Sequence, residues 1–211
     1  PTRRSSDLTN LHFTPKKTSG RDVLEIKDLS KSFGDHQVFH DLNAFVYKND
    51  KIGLIGPNGV GKSTLFKIIA EEISPTSGEV RLGSNVDVAF FYQELDNLSL
   101  DKTVMDEIWD EFPRLEHFQI RKYLAEFLFV GDDIFKTIDE LSGGERGRLS
   151  LLKIMLKGAN FLVLDEPTNH LDIDSKEILE DALLKYEGTV LSISHDRYFL
   201  NKTVDKIFEM T

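Results

Sequence analysis

The sequence predicts an α/β fold with a mostly parallel core sheet, an antiparallel β subdomain and an inserted helical subdomain. Three observations lead to this prediction. An apolar strand at 51–55 runs directly into a glycine-rich turn and then into an amphipathic helix. Four consecutive apolar residues at 161–164 are typical of a strand that is covered on both faces of a parallel sheet. Between these strands, apolar residues of 95–140 recur at helical spacing, which indicates inserted helices.

The turn after the first of these strands carries the clearest chemistry. Residues 56–63, GPNGVGKS, fit G-x-x-x-x-G-K-S between a strand and a helix, and we call them the phosphate loop. Glycines allow successive backbone N–H groups to surround a phosphate, and the following helix directs its positive end at the same anion. The lysine offers a cation to the β- and γ-phosphates, and the serine a hydroxyl to Mg²⁺. The pattern predicts a P-loop NTPase, with phosphate-binding residues Gly56, Pro57, Asn58, Gly59, Val60, Gly61, Lys62, Ser63 and Thr64.

Apolar periodicity and turn residues define the elements in chain order. Strands are predicted where apolar residues alternate or run together between turn signals, at 23–26, 37–47, 51–55, 79–82, 86–92, 161–164, 188–193 and 204–210. Helices are predicted where apolar residues recur every three or four positions, at 63–72, within 95–140, and at 142–157, 175–186 and 196–202. Because strands alternate with helices, we expect a mostly parallel sheet with its ligand at the carboxyl ends of the strands.

The chain is within the size range of a single large α/β domain at 211 residues. The first twenty residues are polar and aperiodic, so we interpret 1–20 as a disordered linker or remnant. We predict that 21–211 forms one domain, whose helical subdomain spans about 95–158. Since the first residue is Pro1 and not Met, we interpret the sequence as a cut or processed piece.

Composition excludes several classes of function. The 26 basic and 36 acidic residues give a net charge of −10, which argues against a generic polyanion binder. The absence of cysteine excludes disulfides, thiolate metal sites and a cysteine nucleophile, and it is compatible with a reducing cytosol. No apolar run approaches the roughly 18 residues that span a bilayer, and no signal-peptide pattern is present. We therefore predict a cytoplasmic protein without direct membrane insertion.

Two carboxylates come directly after the buried strand at 161–164. Asp165 and Glu166 should emerge beside the phosphate loop, because parallel strands end at the same edge of a sheet. We assign Asp165 to Mg²⁺ and Glu166 to the attacking water. The alternative is a solvated acidic pair that caps the helix beginning near Ser175. An isolated Asp-Glu would favour this alternative, whereas its position after a buried strand in a phosphate-loop protein favours catalysis.

Two further motifs carry a resemblance to a known family. LSGGE at 141–145, and then FLVLDEP at 161–167, resemble the signature and acidic motifs of the ATP-binding-cassette superfamily over about 22–210. The resemblance implies an ATPase in which Phe33 stacks on adenine, Gln93 senses the γ-phosphate and the metal, and His195 contacts the γ-phosphate. It also implies a lid for the nucleotide of an opposing domain, formed by Ser142, Gly143, Gly144 and Glu145. Two domains facing head to tail would then make two complete sites.

Several of these residues have simpler interpretations. Phe33 in isolation is more often a core residue, and Phe39 or Tyr47 could stack on the base instead. Gln93, taken alone, is an ordinary amide at the end of a strand. The residue before the histidine, Ser194, could be no more than a helix N-cap.

Two other patterns are weaker. Asn201 and Lys202, with Asp205 after them, come close to the guanine-reading N-K-x-D pattern, but two residues separate the lysine from the aspartate. We therefore favour ATP over GTP. His170 and Asp172 could be metal ligands, but no third ligand stands at suitable spacing, so turn chemistry is the preferred interpretation.

A narrower resemblance concerns DEPTNHLD at 165–172 and SHDRYFL at 194–200, which are similar to the ABC-F branch. Its members carry two cassettes in one polypeptide and mostly act on the ribosome. The stretch 93–140 is too short for the long helical arm typical of the first cassette, so the resemblance implies the second cassette. The implied partners are a second ABC domain, in the same polypeptide or as a head-to-tail dimer, and the ribosome for the full-length protein.

The resemblance implies work on the ribosome either in translation or in antibiotic resistance. Two rival functions remain open at this point. One is the ATP-hydrolysing subunit of an ABC membrane transporter, and the other is a scaffold that binds ATP without turnover.

Overall fold

The structure is a computed structural model, and it describes residues 13–92, 98–169 and 171–211. These residues contain eight strands and six α-helices. The strands are β1 (Asp22–Phe33), β2 (His36–Tyr47), β3 (Lys51–Ile55), β4 (Ser77–Leu82), β5 (Val88–Phe91), β6 (Phe161–Asp165), β7 (Thr189–Ile193) and β8 (Lys206–Glu209). The helices are α1 (Lys62–Ile69), α2 (Val104–Glu111), α3 (His117–Glu126), α4 (Gly143–Lys157), α5 (Ile173–Lys185) and α6 (Arg197–Thr203). Short 3-10 helices occupy Gly131–Phe135 and Ile138–Glu140.

The strands form two sheets. One is a five-stranded parallel sheet in the order β5-β6-β7-β3-β8, and the other is a three-stranded antiparallel sheet in the order β2-β1-β4. Residues 161–164 of β6 are buried along their whole length, as the run of four apolar residues predicts. The parallel core sheet and the separate antiparallel sheet confirm the predicted fold class.

The described residues divide into two compact units. The β unit holds both sheets with α1 and α6, and its described residues are 14–92, 157–169 and 187–211. The helical unit holds α2, α3, α5 and nearly all of α4, and its described residues are 13, 98–156 and 171–186. None of the helices in the described ranges has the length and apolar character that crossing a bilayer requires.

The core of the β unit packs α1 against the parallel sheet. Phe66 of α1 is fully buried, together with Ile52 of β3 and Phe161 of β6. Complete burial of a large apolar side chain stabilises a fold by about 1.5–3 kcal/mol. This packing fixes the start of α1, and with it the phosphate loop, at the carboxyl edge of the sheet.

The first strand is longer than the sequence predicts. β1 continues to Phe33, although the prediction ended at residue 26. Its register against β2 shifts between Ile26 and Leu29, and Asp28 has a φ of 47°. Such irregularities break the strict alternation by which a strand is recognised in a sequence. As a result, Phe33 ends a strand of the antiparallel sheet.

Two predicted boundaries are also wrong. The helix expected at 63–72 begins at Lys62 and ends at Ile69, because the φ of 60° at Glu71 cannot continue an α-helix. The strand expected at 204–210 is β8, which begins at Lys206. The Val204 N–H still bonds to the α6 carbonyl of Leu200 at 3.0 Å, so this residue belongs to the end of the helix.

Two alternatives about helix caps are wrong as well. The cap of α5 is Asp172, whose carboxylate accepts the Ser175 N–H at 2.7 Å, so the acidic pair after β6 does not cap it. The cap of α6 is Asp196, whose carboxylate accepts the Phe199 N–H at 3.1 Å. The Ser194 hydroxyl instead accepts the N–H of Asp196 at 3.1 Å.

The helical unit contains a buried ion cluster between α2 and α4. The Lys153 ammonium lies 2.5 Å from a Glu107 oxygen and 2.9 Å from a Glu111 oxygen. Lys153 and Glu107 are only 5% and 3% exposed. Each charge compensates the cost of removing the other from water.

We predict that Lys153→Ala destabilises the chain by about 3–5 kcal/mol, because Glu107 would remain buried without its cation. Urea unfolding monitored by circular dichroism measures this loss. The matched control is Lys102→Ala, which breaks the exposed ion pair with Asp110 and should leave the midpoint nearly unchanged. Equal midpoints for the two variants would contradict the assignment of a buried cluster.

Candidate functional site

A cavity of about 560 Å³ in the β unit gathers residues from separate segments of the chain. Its walls come from the β1–β2 turn, the phosphate loop, the start of α1 and the ends of β6 and β7. The lining residues are Phe33, His36, Val38, Asn58, Gly59, Gly61, Lys62, Ser63, Thr64, Asp165, Glu166, Asn169, Ile193 and His195. The volume is within the range of about 300–1,000 Å³ that is usual for small-molecule sites.

The phosphate loop needs glycine at two of its positions. Gly61 has a φ of 101°, and a Cβ there would lie 2.5 Å from Val38 Cγ1. A Cβ on Gly56 would lie 2.5 Å from the carbonyl oxygen of Met210. A Cβ at either position would collide with β2 or with Met210, so the loop can follow this backbone path only with glycine there.

The lysine of the loop is held by the loop itself. Lys62 is 8% exposed, and its Nζ donates to the carbonyl oxygens of Gly56 at 2.8 Å and Pro57 at 2.9 Å. These two residues and Val60 are not part of the cavity lining. The hydrogen bonds hold the ammonium group at the cavity wall, where its charge attracts an anion.

The serine and the first carboxylate line the same cavity, Ser63 from the start of α1 and Asp165 from the end of β6. Burial raises the pKa of the Asp165 carboxyl, whereas the Ser63 hydroxyl and the charges of Lys62 and Lys67 oppose this rise. A carboxylate and a hydroxyl side by side are the oxygen donors that a hard cation such as Mg²⁺ prefers.

The second carboxylate pairs with the histidine. Glu166 Oε1 lies 3.4 Å from His195 Nε2, and Glu166 Oε2 accepts the His195 backbone N–H at 3.4 Å. Burial raises the pKa of the Glu166 carboxyl, and the backbone hydrogen bond from His195 opposes this rise. A partly buried carboxylate with a raised pKa is suited to act as a general base.

The turn that carries Glu166 has an unusual backbone. The residue has a φ of 48°, its N–H donates to Ile193 O at 2.9 Å, and its carbonyl accepts the Asn169 N–H at 3.1 Å. A positive φ is uncommon outside glycine and is often found at functional sites. The two hydrogen bonds hold the carboxylate at the end of the sheet.

Phe33 lies at the cavity with an exposed ring. It is 53% exposed, and the Lys31 ammonium lies 4.6 Å from its ring centroid. Of the two alternatives, Phe39 is buried, and Tyr47 stacks on Phe45 with centroids 6.4 Å apart. Neither belongs to the cavity lining, so Phe33 is the candidate that remains for stacking on a base.

The predicted signature residues lie in the helical unit, at the start of α4. The Ser142 N–H donates to Glu145 Oε2 at 2.8 Å, and the Glu145 N–H donates to the Ser142 hydroxyl at 3.3 Å. This reciprocal pair is a capping box. Ser142 and Gly143 are exposed, whereas Gly144 is buried. The first turn of the 15-residue helix therefore presents the positive end of its dipole.

A buried arginine fastens α4 to the start of α5. Arg148 donates from Nη1 to the Ser175 hydroxyl at 3.2 Å, and its guanidinium lies 5.4 Å from the Phe129 ring centroid. A Cβ on Gly147 would lie 3.0 Å from a Leu171 methyl group. In the sequence, only the position of an arginine on an apolar helix face indicates this contact between α4 and α5.

The structure brings together most of the predicted site residues, and it adds His36, Val38, Asn169 and Ile193. Asn169 stands inside the motif quoted at 165–172, so its position could have indicated a role. The predicted residue Gln93 lies outside the described residues, as does His170. Within the described ranges, no group of three or more His, Cys, Asp or Glu side chains converges on a metal site.

Comparison with known proteins gives a family match. A family model described as "ABC transporter" matches residues 39–169. YdiF of Bacillus subtilis (strain 168) is 47% identical over 203 residues, which cover 96% of this chain and 32% of YdiF. The energy-dependent translational throttle protein EttA of Escherichia coli (strain K12) is 40% identical over 211 residues, covering 98% of this chain and 38% of EttA.

A plant protein is similar over the same region. ABC transporter F family member 5 of Arabidopsis thaliana is 41% identical over 202 residues, covering 95% of this chain and 29% of that protein. The chain thus spans between 29% and 38% of the length of these three relatives.

We predict that Asp165→Asn stabilises the chain at pH 7 in the absence of nucleotide, because it removes a charge whose burial is unfavourable. A raised pKa in the folded state means that stability is lost as the pH rises through that pKa. The gain in stability of the variant over the original chain should therefore be full at pH 7 and shrink as the pH falls toward about 4. Thermal unfolding across this pH range measures it.

The control is the same change at the exposed Asp101, which should leave the melting temperature nearly constant at pH 7. A Tm that falls for Asp165→Asn at pH 7 would contradict the unfavourable burial of this charge.

Proposed function

Because the chain belongs to the ABC transporter family, we propose that it is one ATP-binding cassette of an ABC-F protein and that ATP closes it against a second cassette. The family match confirms the predicted ABC-type P-loop fold and the predicted class, an ATP-binding ATPase domain. The observation that carries the proposed mechanism is the cavity that joins the phosphate loop, the acidic pair and His195.

Binding of ATP is the task of the phosphate loop and the aromatic ring. The loop amides and the Lys62 ammonium hold the β- and γ-phosphates, since both lie at the same wall of the cavity. Phe33 stacks on the adenine ring from the end of β1. The exposure of this ring supports the assignment, because an apolar face in water gains from being covered.

Ser63 and Asp165 are the residues that would hold Mg²⁺. When bound, this ion neutralises charge that develops on the phosphates during transfer. The position of both side chains in the lining of one cavity supports this assignment, because a hydroxyl and a carboxylate are the oxygen ligands that Mg²⁺ prefers.

Hydrolysis depends on Glu166 and His195. Glu166 orients the attacking water and accepts its proton, while the water oxygen bonds to the γ-phosphorus and the bond to the bridging oxygen breaks. The products are ADP and inorganic phosphate. His195, 3.4 Å from the carboxylate, fixes its orientation and reaches the γ-phosphate.

A second cassette completes the site. The start of α4, with Ser142, Gly143, Gly144 and Glu145, binds the γ-phosphate of the ATP held by the partner cassette. Loss of that phosphate removes the preference for the closed state, so hydrolysis reopens the pair. The partner is a second ABC domain in the same polypeptide or in a head-to-tail dimer. The greater length of the relatives supports the first arrangement.

We further propose that the full-length protein is cytoplasmic and acts on the ribosome, with this chain as its second cassette. The name of EttA as a translational throttle protein supports a role in translation over one in membrane transport. The family description leaves the ATPase subunit of an ABC transporter as the alternative. That alternative predicts recovery with membranes, whereas ours predicts recovery with ribosomes.

We predict that Lys62→Ala lowers ATP affinity about 10- to 100-fold, because each hydrogen bond to a charged group contributes about 1.5–3 kcal/mol. Isothermal titration calorimetry of this chain with ATP and Mg²⁺ measures the loss. The control is Lys67→Ala, which changes an exposed lysine of the same helix. This variant should bind ATP nearly as tightly as the original chain does. Undiminished binding by Lys62→Ala would refute the phosphate-loop assignment.

We predict that Glu166→Gln retains ATP binding and lowers turnover at least about 10²-fold in the two-cassette protein, because the general base is lost. The isolated chain should hydrolyse ATP slowly, since half of each site is missing. Phosphate release measures turnover, and sedimentation through sucrose tests whether the trapped variant pellets with ribosomes. Brisk hydrolysis by strictly monomeric chain would contradict the need for a second cassette.

A further inference from the structure

Two turns at the carboxyl edge of the parallel sheet carry the residues assigned to hydrolysis. The first turn begins with Glu166 after β6 and ends at Asn169, whose N–H donates to the Glu166 carbonyl at 3.1 Å. The second turn follows β7 and carries His195. All three residues line the cavity of about 560 Å³. The other residues of these turns have no part in the mechanism described above.

The first turn places a threonine in the interior of the β unit. Pro167 and Thr168 are its two central residues, and proline is favoured at the first of these positions. Thr168 is only 5% exposed, and it is not part of the cavity lining. A hydroxyl buried at this depth needs a hydrogen-bond partner, because an unpaired one destabilises the fold.

That partner is the serine before His195. The hydroxyl oxygens of Thr168 and Ser194 lie 3.5 Å apart, and Ser194 is 2% exposed. Among the residues that the structure describes, Ser194 is the one that hydrogen-bonds the Thr168 side chain. The serine oxygen also accepts the Asp196 N–H at 3.1 Å, which leaves the serine hydrogen available for Thr168. We call Thr168 and Ser194 the hydroxyl pair.

The hydroxyl pair is one of three links between the two turns. In another, the Glu166 N–H donates to the Ile193 carbonyl at 2.9 Å. In the third, the Glu166 carboxylate meets the backbone N–H and the ring Nε2 of His195, each at 3.4 Å. The links thus involve three consecutive residues, 193–195. Of the three, the hydroxyl pair joins two buried side chains, where a hydrogen bond is stronger because water is excluded.

We propose that Thr168 is a positioning residue for hydrolysis, which acts through Ser194 to hold the Glu166 carboxylate against the His195 imidazole. Neither hydroxyl lines the cavity, and an apolar pair of the same shape would fill the space at little cost in stability. The hydroxyls add a fixed direction to this packing, and a displacement of about 1 Å at a reacting centre can lower a rate about 100-fold. The role in hydrolysis rests on the proposed function, whereas the contact itself does not.

Steady-state ATP hydrolysis by the two-cassette protein tests this role. Thr168→Val keeps the shape of the side chain but removes its hydroxyl, and it should lower kcat about tenfold while KM changes by less than about twofold. Thr168→Ser keeps the hydroxyl and should retain at least about half of kcat. Unchanged kcat in Thr168→Val, or an equal loss in both variants, would overturn the proposal.

Thr203→Val is the matched control for the loss of a buried hydroxyl. This threonine of α6 lies in the same unit at 7% exposure, and its hydroxyl donates to the Phe199 carbonyl at 2.7 Å. The variant should melt at a lower temperature but keep kcat within about twofold. A loss of kcat equal to that of Thr168→Val would overturn a specific role for Thr168.

A double-mutant cycle tests whether Thr168 acts through the serine. Ser194→Ala should lower kcat as well. The double variant Thr168→Val/Ser194→Ala should lose no more activity than the more impaired single variant, because both changes break the same bond. Losses that multiply in the double variant would overturn the action through Ser194.

The histidine ring reports on the same contact without ATP. Its proton–carbon signal in the spectrum of this chain can be identified by its absence in His195→Gln. At constant pH this signal should move in Thr168→Val but keep its position in Thr168→Ser. It should also keep its position in Thr203→Val. A signal that does not move in Thr168→Val would overturn the proposal.

The two measurements separate two kinds of failure. Full turnover in Glu166→Gln would refute the proposed function, and with it any positioning role in hydrolysis, even where the histidine signal moves. Normal turnover in Thr168→Val beside an inactive Glu166→Gln would refute the positioning role alone and leave the ATPase assignment intact.

Discussion

The parallel pairing of three neighbouring strands, β3, β7 and β6, is the constraint on which the site depends. Parallel strands end at the same edge of a sheet, so the segments attached to their carboxyl ends lie beside one another. The phosphate loop comes after β3, Asp165 ends β6 with Glu166 next, and His195 comes after β7. Residues more than a hundred positions apart thus line one cavity, as Ser63 and Asp165 do. Burial of β6 on both faces keeps these strands in register.

The same architecture imposes an electrostatic cost. Two adjacent carboxylates stand at the end of a buried strand, and burial raises the pKa of each. In ordinary structural positions such charges are avoided, because they destabilise the fold at neutral pH. Lys62, Ser63 and His195 reduce this cost through their charges and hydrogen bonds. A bound magnesium-nucleotide complex would reduce it further, so the site couples ligand binding to the stability of the domain.

Much of the fold and the site was predictable, for reasons that are local in sequence. The glycine and lysine spacing of the phosphate loop and the run of four apolar residues in β6 each indicate one structure with little ambiguity. The full length of β1 was not predictable, because its irregular register hides the alternation. Arg148 and His36 were missed for another reason: their roles depend on neighbours brought close by folding, such as Ser175 for the arginine. The roles assigned to the site residues remain predictions.

The capping box at the start of α4 bears on the proposed pairing of two cassettes. The Ser142 N–H donates to Glu145 Oε2, and the Ser142 hydroxyl accepts the Glu145 N–H. In the proposed pairing, a phosphate that binds the Ser142 N–H would have to replace Glu145 there, whereas the hydroxyl keeps its own hydrogen to donate. Once the phosphate departs, the serine and the glutamate can close again without leaving either group unsatisfied. Under the proposed function, the Glu145 carboxylate would thus take the place of the departed phosphate at the Ser142 N–H, which would favour separation of the two cassettes.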